Sequence, residues 1–145
     1  KFIPEDSSPL QEKFINYIME QGKKSIARRI FSETMQIISK KTSSDPEKIF
    51  KLAIENCKPL MEVKPKRIGG AVYQVPREVK ANRQFTLSCR WIISTTRLQK
   101  GSPMAQRLAN ALVDASNQQG AAFKKREDTN RMADANKAFA HLAKY

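Results

Sequence analysis

The spacing of apolar residues changes once along this chain, and that change constrains the fold more than any other feature. On both sides of residues 61–79, apolar side chains recur about every three or four residues, which is the repeat of one helix face. Residues 61–79 instead hold two short runs rich in Val, Ile and Tyr, which flank Gly69 and Gly70. Because a Gly-Gly pair suits a tight turn between antiparallel strands, the pattern predicts a β-hairpin inside a helical protein.

Three helices are predicted before the hairpin. Ser8 begins a capping-box pattern with Pro at the first helical position, and Gly22 ends that helix. The second helix spans about residues 25–40 and carries one apolar stripe. Asp45 begins the third helix, which Pro59 stops because proline cannot continue a helix.

Three further helices follow the hairpin. The fourth runs from Asn82 to about Leu98, and the fifth begins at Met104 and closes at Gly120. The predicted architecture is mainly α: a six-helix bundle around one core, with a protruding two-stranded hairpin between the third and fourth helices. The length suits a single domain over residues 1–145. In the last helix, the side chains expected to face inward are Met132, Ala135, Phe139 and Leu142.

Both predicted strands contain a proline. Pro65 and Pro76 have no N–H group, so each strand is expected at the edge of a sheet, as in an isolated ribbon. A two-stranded ribbon is marginally stable by itself and needs a support. It cannot bury both faces, which makes Tyr73 a candidate for stacking on a base or contacting a ribose. The cations of the ribbon suggest a polyanion as the support: Lys64, Lys66, Arg67 and Arg77.

Charge points to the class of partner. The chain has 27 Lys and Arg against 14 Asp and Glu, a net charge of +13 and an isoelectric point near 10.0. Residues 64–100 hold nine basic residues and one acid, Glu78. A phosphate backbone suits such a charge best, because neutralising phosphates releases counterions. A merely soluble basic protein is one alternative. An architectural DNA-binding protein is another, although neither a recognition helix nor half-site symmetry is evident.

One helix face concentrates arginine. Arg83, Arg90 and Arg97 recur every seven residues, which is two helical turns, so they share a face of the fourth helix. Lys80 leads into this row. An uncompensated arginine row repels itself unless phosphate lies against it, and Arg binds phosphate bidentately. The alternative is a solvated helix face.

Patterns typical of catalysis are absent from the sequence. His141 is the single histidine and lies on a helical stripe, where a structural role is expected. There is no G-x-S-x-G elbow and no Gly-rich phosphate loop of the required spacing. Cys57 and Cys89 fall on apolar helix faces, as inert core thiols do. No stretch approaches about 18 apolar residues. We therefore predict a protein that is not an enzyme, has no metal, cofactor or disulfide scaffold, and does not span a membrane.

Motifs in the hairpin and in the helices resemble a known family. Residues 69–79 read GGAVYQVPREV, which is similar to the hairpin signature of ribosomal protein seven of the small subunit, bacterial type. The resemblance covers essentially the whole chain. Further motifs match in the same order: GKKS at 22–25, EVK at 62–64, RWI at 90–92, KKRED at 124–128, RMA at 131–133 and ANKAFAH at 135–141.

This resemblance implies a ribosomal role. Family members are helical bundles with a protruding hairpin; they bind the three-prime major domain of small-subunit ribosomal RNA and nucleate assembly of the subunit head. The hairpin lies near the exit-site transfer RNA and the messenger RNA path, and neighbouring small-subunit proteins are partners. The expected tip residues are Gly69, Gly70, Tyr73 and Gln74. From motif position and charge, the expected RNA-binding residues are Lys23, Lys24, Lys64, Lys66, Arg67, Arg77, Lys80, Arg83, Arg90 and Arg97.

Departures from the family pattern concern the ends and the last helix. The Arg-rich arm usual in the family is absent before Lys1, so contacts of that arm are not assigned. Because the sequence opens on Lys1 and not on Met, any targeting segment is expected to lie outside it. Asn130 stands where the family usually has His, and Asp134 where it has Glu. The ending over residues 142–145 replaces a more aromatic tail. Together these differences favour a mitochondrial ribosome, with the bacterial cytoplasm and the plastid as alternatives.

Overall fold

In the computed structural model, which describes residues 7–144, helices make up most of the chain and one hairpin interrupts them. Lys1 and Tyr145 lie outside the described residues. The hairpin stands between the third and fourth helices, as the sequence predicts. The elements are α1 (Pro9–Ile18), α2 (Lys24–Thr42), α3 (Pro46–Asn56), β1 (Met61–Ile68), β2 (Ala71–Glu78), α4 (Ala81–Leu98), α5 (Met104–Ser116), α6 (Ala121–Ala135) and a C-terminal 3₁₀ helix (Lys137–Lys144).

Side-chain caps fix the starts of α1 and α3. The Ser8 hydroxyl accepts a hydrogen bond from the Gln11 N–H group at 3.2 Å, and the Asp45 carboxylate accepts one from the Glu47 N–H group at 3.1 Å. Each cap is followed by a proline, which lacks the N–H group that would otherwise go unpaired at the first helical position. Both predicted helix starts are therefore confirmed.

Side chains from α1 to α6 form one buried cluster. The rings of Phe14, Phe31 and Phe50 meet with centroids 5.0, 5.4 and 5.9 Å apart, in the tilted and edge-to-face arrangements that aromatic pairs prefer. α5 contacts α2, α3, α4 and α6, and its Leu108 and Leu112 are fully buried. The predicted bundle of six α-helices around one core is confirmed.

The hairpin is a regular antiparallel pair. Its strands close at the pairing of Ile68 with Ala71, and Gly69 and Gly70 form the turn with φ of +56° and +85°. Two successive positive φ angles suit glycine, which explains the Gly-Gly pair that marked the turn in the sequence. Because the sheet has two strands, both are edges, and each accommodates its proline without breaking a ladder on the open side.

The hairpin leans on the end of the chain in its outer half, at the paired residues Lys66 and Tyr73, and on α6 at its base. The Tyr73 ring lies 5.3 Å from the ring of Phe139, and the Lys66 ammonium donates to the carbonyl of Leu142 at 2.8 Å. The Asn130 side-chain oxygen accepts from two N–H groups at the start of β1, at 3.1 and 3.3 Å. These contacts correct the expectation of a polyanion as the support, because α6 and the 3₁₀ helix already brace the ribbon.

The last predicted helix is shorter than expected. α6 ends at Ala135, where the Asn136 amide group donates to the carbonyl of Met132 at 2.8 Å. The chain then tightens to about three residues per turn, so the helical stripe does not continue in phase. The predicted inward positions are wrong for Met132, which is 52% exposed, and for Ala135, which is also exposed. Phe139 and Leu142 are half-buried beyond the end of α6.

Candidate nucleic-acid interface

The ten cations predicted to bind RNA lie on the hairpin and at two helices, α2 and α4. Three of them are half-buried, namely Lys24, Lys66 and Arg77, because acidic or carbonyl groups of the protein hold them. The others are exposed. All ten cations therefore reach the surface at least in part, but they differ in whether they also contact acidic or carbonyl groups of the protein.

The side chains of five of these cations make no hydrogen bond or ion pair with any residue of the described chain, 7–144. Within this part of the chain their charge is not compensated, so these positions favour an external anion. They are Lys23, Lys64, Arg67, Lys80 and Arg90.

The arginine row of α4 is compensated at both ends. Arg83 hydrogen-bonds to the carboxylate of Glu62, and Arg97 lies 3.4 Å from the carboxylate of Glu20. Arg97 also donates to a carbonyl at the end of α1 at 3.0 Å. The prediction of an uncompensated row is wrong for these two residues and holds for Arg90, midway along a row of about 21 Å. Sequence spacing places the three on one face but does not show which acids reach them.

Glu62 is the centre of a charged cluster that sequence reasoning missed. Arg77 donates to its Oε1 atom from Nη2 at 2.7 Å and from Nε at 3.1 Å. Arg83 donates from Nε to Oε1 at 3.0 Å and to Oε2 at 3.1 Å. Burial by itself would raise the pKa of Glu62, which is 8% exposed, but the hydrogen bonds from Arg77 and Arg83 outweigh it and hold the pKa below its ordinary value. Glu62 is therefore a stable anion that joins β1, β2 and α4.

A second cluster surrounds Glu12, between α1 and α2. Arg28 donates from Nη1 to Oε2 of Glu12 at 2.7 Å, the Ser7 hydroxyl donates to the same oxygen at 2.8 Å, and Lys24 lies 3.7 Å away. The hydrogen bond from Arg28 is the main cause of a lowered pKa at Glu12, which burial opposes. Lys24 is therefore partly committed to the body of the protein, and Arg28 is a further cation that the sequence did not single out.

Three helix N-termini are positively charged. α2, α4 and α6 have neither a side-chain cap nor an acidic residue in the first turn. By contrast, α1 and α3 each have a side-chain cap and an acidic residue in the first turn. Cations at these ends oppose the helix dipole, and free N–H groups there suit an anion. Six cations lie at these three N-termini, and the two on α6 belong to the family motif at 124–128. The six are Lys23, Lys24, Lys80, Arg83, Lys124 and Lys125.

The hairpin tip is exposed, as expected. Gly69, Gly70 and Gln74 are exposed, and Val72 is 55% exposed. Tyr73 differs, because its half-buried ring packs against Phe139 and part of its surface is already used inside the protein. The tip residues therefore do not act as one group: Tyr73 belongs to the support of the hairpin as well as to its surface.

The described residues offer little for catalysis. Cys57 and Cys89 are free and fully buried, and burial raises the pKa of each thiol to about 12. His141 is exposed in the 3₁₀ helix. Within residues 7–144, His, Cys, Asp and Glu side chains form no group of three or more that could hold a metal ion. No helix in that range has the length and apolarity needed to cross a membrane.

Comparison with known proteins decides the family. A sequence model of the family described as Ribosomal protein S7p/S5e matches residues 3–137. The chain belongs to this family. Small ribosomal subunit protein uS7 of Solibacter usitatus is 56% identical over 93% of this chain and 86% of the relative. The protein of the same name in Thermodesulfovibrio yellowstonii is 51% identical over 95% of this chain and 88% of the relative.

The S7p/S5e family consists of structural ribosomal proteins and not of enzymes. A further relative, Small ribosomal subunit protein uS7 of Chloroflexus aggregans, is 48% identical over 98% of this chain and 92% of the relative. Membership confirms the family predicted from the hairpin and helix motifs. It also confirms that the chain is not an enzyme, in keeping with the buried thiols.

Proposed function

We propose that this chain is a structural constituent of the small ribosomal subunit, binds the three-prime major domain of its ribosomal RNA and nucleates assembly of the head. Family membership and the names of the relatives support a place in the small subunit. The proposed RNA-binding residues are the ten cations predicted from the sequence. We also propose that residues 1–145 act as a single RNA-binding domain.

The observation that carries this proposal is the set of five cations that have no acidic partner among the described residues. A surface of one sign is costly to maintain unless a counter-charge lies against it, and a phosphate backbone supplies that charge. The positive N-termini of α2, α4 and α6 add to the same field.

For the hairpin, we propose that the tip lies near the exit-site transfer RNA and the messenger RNA path, with neighbouring small-subunit proteins beside it. Its exposed turn at Gly69 and Gly70 and its support by the 3₁₀ helix suit a projecting contact arm. The support matters because a two-stranded ribbon is not stable by itself.

Departures from the family pattern favoured a mitochondrial ribosome, but the relatives support a broader proposal. The relatives named above come from bacteria and give no support to the expected mitochondrial ribosome. We therefore propose a ribosome of bacterial type.

RNA binding is tested by removing uncompensated charge. The triple variant Lys64→Gln, Arg67→Gln and Arg90→Gln should weaken binding to a three-prime major-domain RNA fragment. It should also lower the slope of log affinity against log salt by about two to three, roughly 0.7–0.9 per lost phosphate contact. Filter binding of the full chain at several salt concentrations measures both quantities. Lys66 is left intact because it also braces the 3₁₀ helix.

A matched triple on α2 and α3 provides the control. Lys40, Lys48 and Lys51 are exposed and have no side-chain partner within the described residues, so their change to Gln removes the same charge elsewhere. An equal loss of slope in both triples would show that net charge alone governs binding, and the proposed surface would be wrong. Equal affinity of the wild-type chain for duplex DNA of the same charge would favour the architectural DNA-binding alternative.

The hairpin proposal is tested by shortening the arm without removing its support. Deleting Arg67, Ile68, Ala71 and Val72 leaves Gly69 and Gly70 between Lys66 and Tyr73, which are paired in the register, and removes two residues from each strand. Subunits assembled with this variant should retain exit-site transfer RNA less well and maintain the reading frame less accurately. Normal values of both, in subunits shown to contain the variant, would contradict the proposed contact.

A further inference from the structure

Arg77 and Arg83 come from different elements, yet their guanidinium groups share one oxygen of Glu62. The Nη2 atom of Arg77 lies 2.7 Å and the Nε atom of Arg83 lies 3.0 Å from Glu62 Oε1. Two like charges held this close repel each other, and one carboxylate neutralises half of their charge. The cluster therefore carries a net charge of +1 at a point where the hairpin meets α4.

Both guanidinium groups keep free donors. Each has five N–H donors in a planar fork. Arg83 uses only its Nε–H group within the described residues, so both of its terminal amino groups are available. Arg77 uses Nε and Nη2 and keeps Nη1. The side chains of Arg77 and Arg83 are 41% and 48% exposed while that of Glu62 is 10% exposed, so the carboxylate is the buried member of the cluster and the two arginines are its exposed members.

We propose that Arg77 and Arg83 form a binding site for a single phosphate group of RNA, and that Glu62 is the positioning residue that holds the two forks together. The proposal rests on the proposed RNA-binding function and specifies one contact within it. A phosphodiester carries one negative charge, which matches the net +1 of the cluster, and paired guanidinium forks suit its oxygens. Fixing both side chains in advance lowers the entropy lost on binding.

The Glu12 cluster shows why this pairing is distinctive. There, among the described residues, the carboxylate of Glu12 meets one guanidinium, one hydroxyl and a lysine ammonium at 3.7 Å, whereas Glu62 meets two guanidinium groups. The Glu12 cluster joins two helices of the body, whereas the Glu62 cluster lies at the root of a projecting arm. The same carboxylate chemistry thus braces a helix pair in one place and prepares a donor pair in the other.

Glu62→Gln gives opposite results under the two explanations. If Glu62 is merely an acidic residue near the RNA, its removal raises the net charge and should tighten binding. If it positions the arginine pair, Glu62→Gln should weaken binding to the three-prime major-domain fragment by about tenfold, the scale of one charge-assisted hydrogen bond. Filter binding with the full chain measures the affinity, and tighter binding would overturn the proposal.

Arginine variants test the pair without disturbing Glu62. Arg83→Lys keeps the charge but loses the fork, so it should weaken binding several-fold. The matched control is Arg29→Lys, at an exposed arginine of α2 that has no side-chain partner within the described residues and is not among the proposed RNA-binding residues, and it should have little effect. Arg77→Gln, Arg83→Gln and the double variant should each lower the salt slope by the same roughly 0.7–0.9, because all three lose one phosphate. Additive losses from the two single variants would show two separate contacts and overturn the single site.

Two outcomes separate this inference from the proposed function. Failure of the wild-type chain to bind the RNA fragment in a salt-dependent way would contradict RNA binding itself. Normal wild-type binding, with weaker binding in the Lys64, Arg67 and Arg90 triple but no change in the Arg77 and Arg83 variants, would overturn the phosphate site alone. Thermal unfolding of Glu62→Gln and Arg83→Lys checks that each variant is folded, and Arg83→Lys carries the decision if Glu62→Gln is not.

Discussion

The helical body, α1–α6, and the hairpin arm, residues 61–78, are stabilised in different ways. The body has aromatic and aliphatic side chains from six helices in one buried cluster, with Phe14 and Phe50 fully buried. In the arm, only Glu62, Val75 and Pro76 are buried, and its other support is hydrogen bonding and one half-buried ring pair. Apolar burial stabilises the body, whereas the arm relies on contacts with α4, α6 and the 3₁₀ helix.

This difference indicates which side chains of the molecule are available to bind RNA. Buried apolar area stabilises a fold without using surface charge, so the body tolerates a strongly positive exterior. The arm exposes most of its side chains and cannot be stabilised in that way, which leaves its charges available for a ligand. Its one buried carboxylate, Glu62, reduces repulsion between arginines at the root of the arm.

The largest expected effect is in the core of the body. Phe50→Ala should lower the free energy of unfolding by about 3–5 kcal/mol, because it leaves a cavity between two other rings in a fully buried site. Denaturant unfolding followed by far-ultraviolet circular dichroism measures the loss. Val72→Ala, at an exposed position on the arm, is the control and should change the unfolding midpoint little. Similar losses in both variants would contradict the division between body and arm.

A smaller and local effect is expected where the arm meets the C-terminal 3₁₀ helix. Tyr73→Ala removes the ring pair with Phe139, which contributes about 0.5–1.5 kcal/mol beyond the area buried. Amide hydrogen exchange should therefore accelerate at Phe139, whose N–H group donates to the carbonyl of Asn136 at 2.9 Å. Protection of α5 should stay unchanged. Faster exchange throughout α5 would show that the arm and the body unfold together.

Low pH should affect the two charged clusters, around Glu12 and around Glu62, in different ways. The pKa values of Glu12 and Glu62 lie below the ordinary 4.5, so each carboxylate stabilises the fold above that pH, and the stabilisation is lost as pH falls through the folded value. Glu12→Gln should therefore flatten the decline in global stability below pH 4.5. The effect of Glu12→Gln on global stability should be small, because solvent reaches the Arg28 side chain, which is 33% exposed.

The corresponding change in the arm provides the comparison. We expect the arm to open at a lower free energy than the body, so Glu62→Gln should alter hydrogen exchange in the hairpin below pH 4.5 and change the acid dependence of global unfolding less than Glu12→Gln does. Global unfolding curves of both variants at several acidic pH values, with the wild type alongside, decide the matter. An equal change in global stability from both variants would mean that the arm is as tightly coupled to unfolding as α1 and α2.

We expect no modification of the native thiols in the folded protein, which is the smallest effect of the set. Burial of Cys57 and Cys89, with pKa values of about 12, should leave both unmodified by a thiol reagent at pH 8 until the protein unfolds. A Val72→Cys variant should react at the exposed tip at the rate of a free thiol. Mass spectrometry counts the modified sites over time. Rapid labelling of Cys57 or Cys89 in the folded chain would show that the body opens more readily than its packing implies.

Much of the fold could be predicted because its signals are local. Ser8 and Asp45 cap helices through N–H groups two or three residues away, and the turn at Gly69 and Gly70 needs only those two residues. The end of α6 could not be predicted, since Met132 and Phe139 keep a helical spacing in the sequence. The chain forms a 3₁₀ helix beyond this point, where Phe139 packs against Tyr73 of the hairpin.

By itself, the sequence determined the helices, the hairpin and its turn, the family and the excess of positive charge, because each depends on residue type and short-range spacing. Tertiary structure alone decided which cations are compensated. Glu62 meets Arg83 from 21 residues away, and Lys66 meets the carbonyl of Leu142 from 76 residues away. Such pairs depend on the direction in which the hairpin leaves the bundle, and that direction is set by packing between elements that no local pattern records.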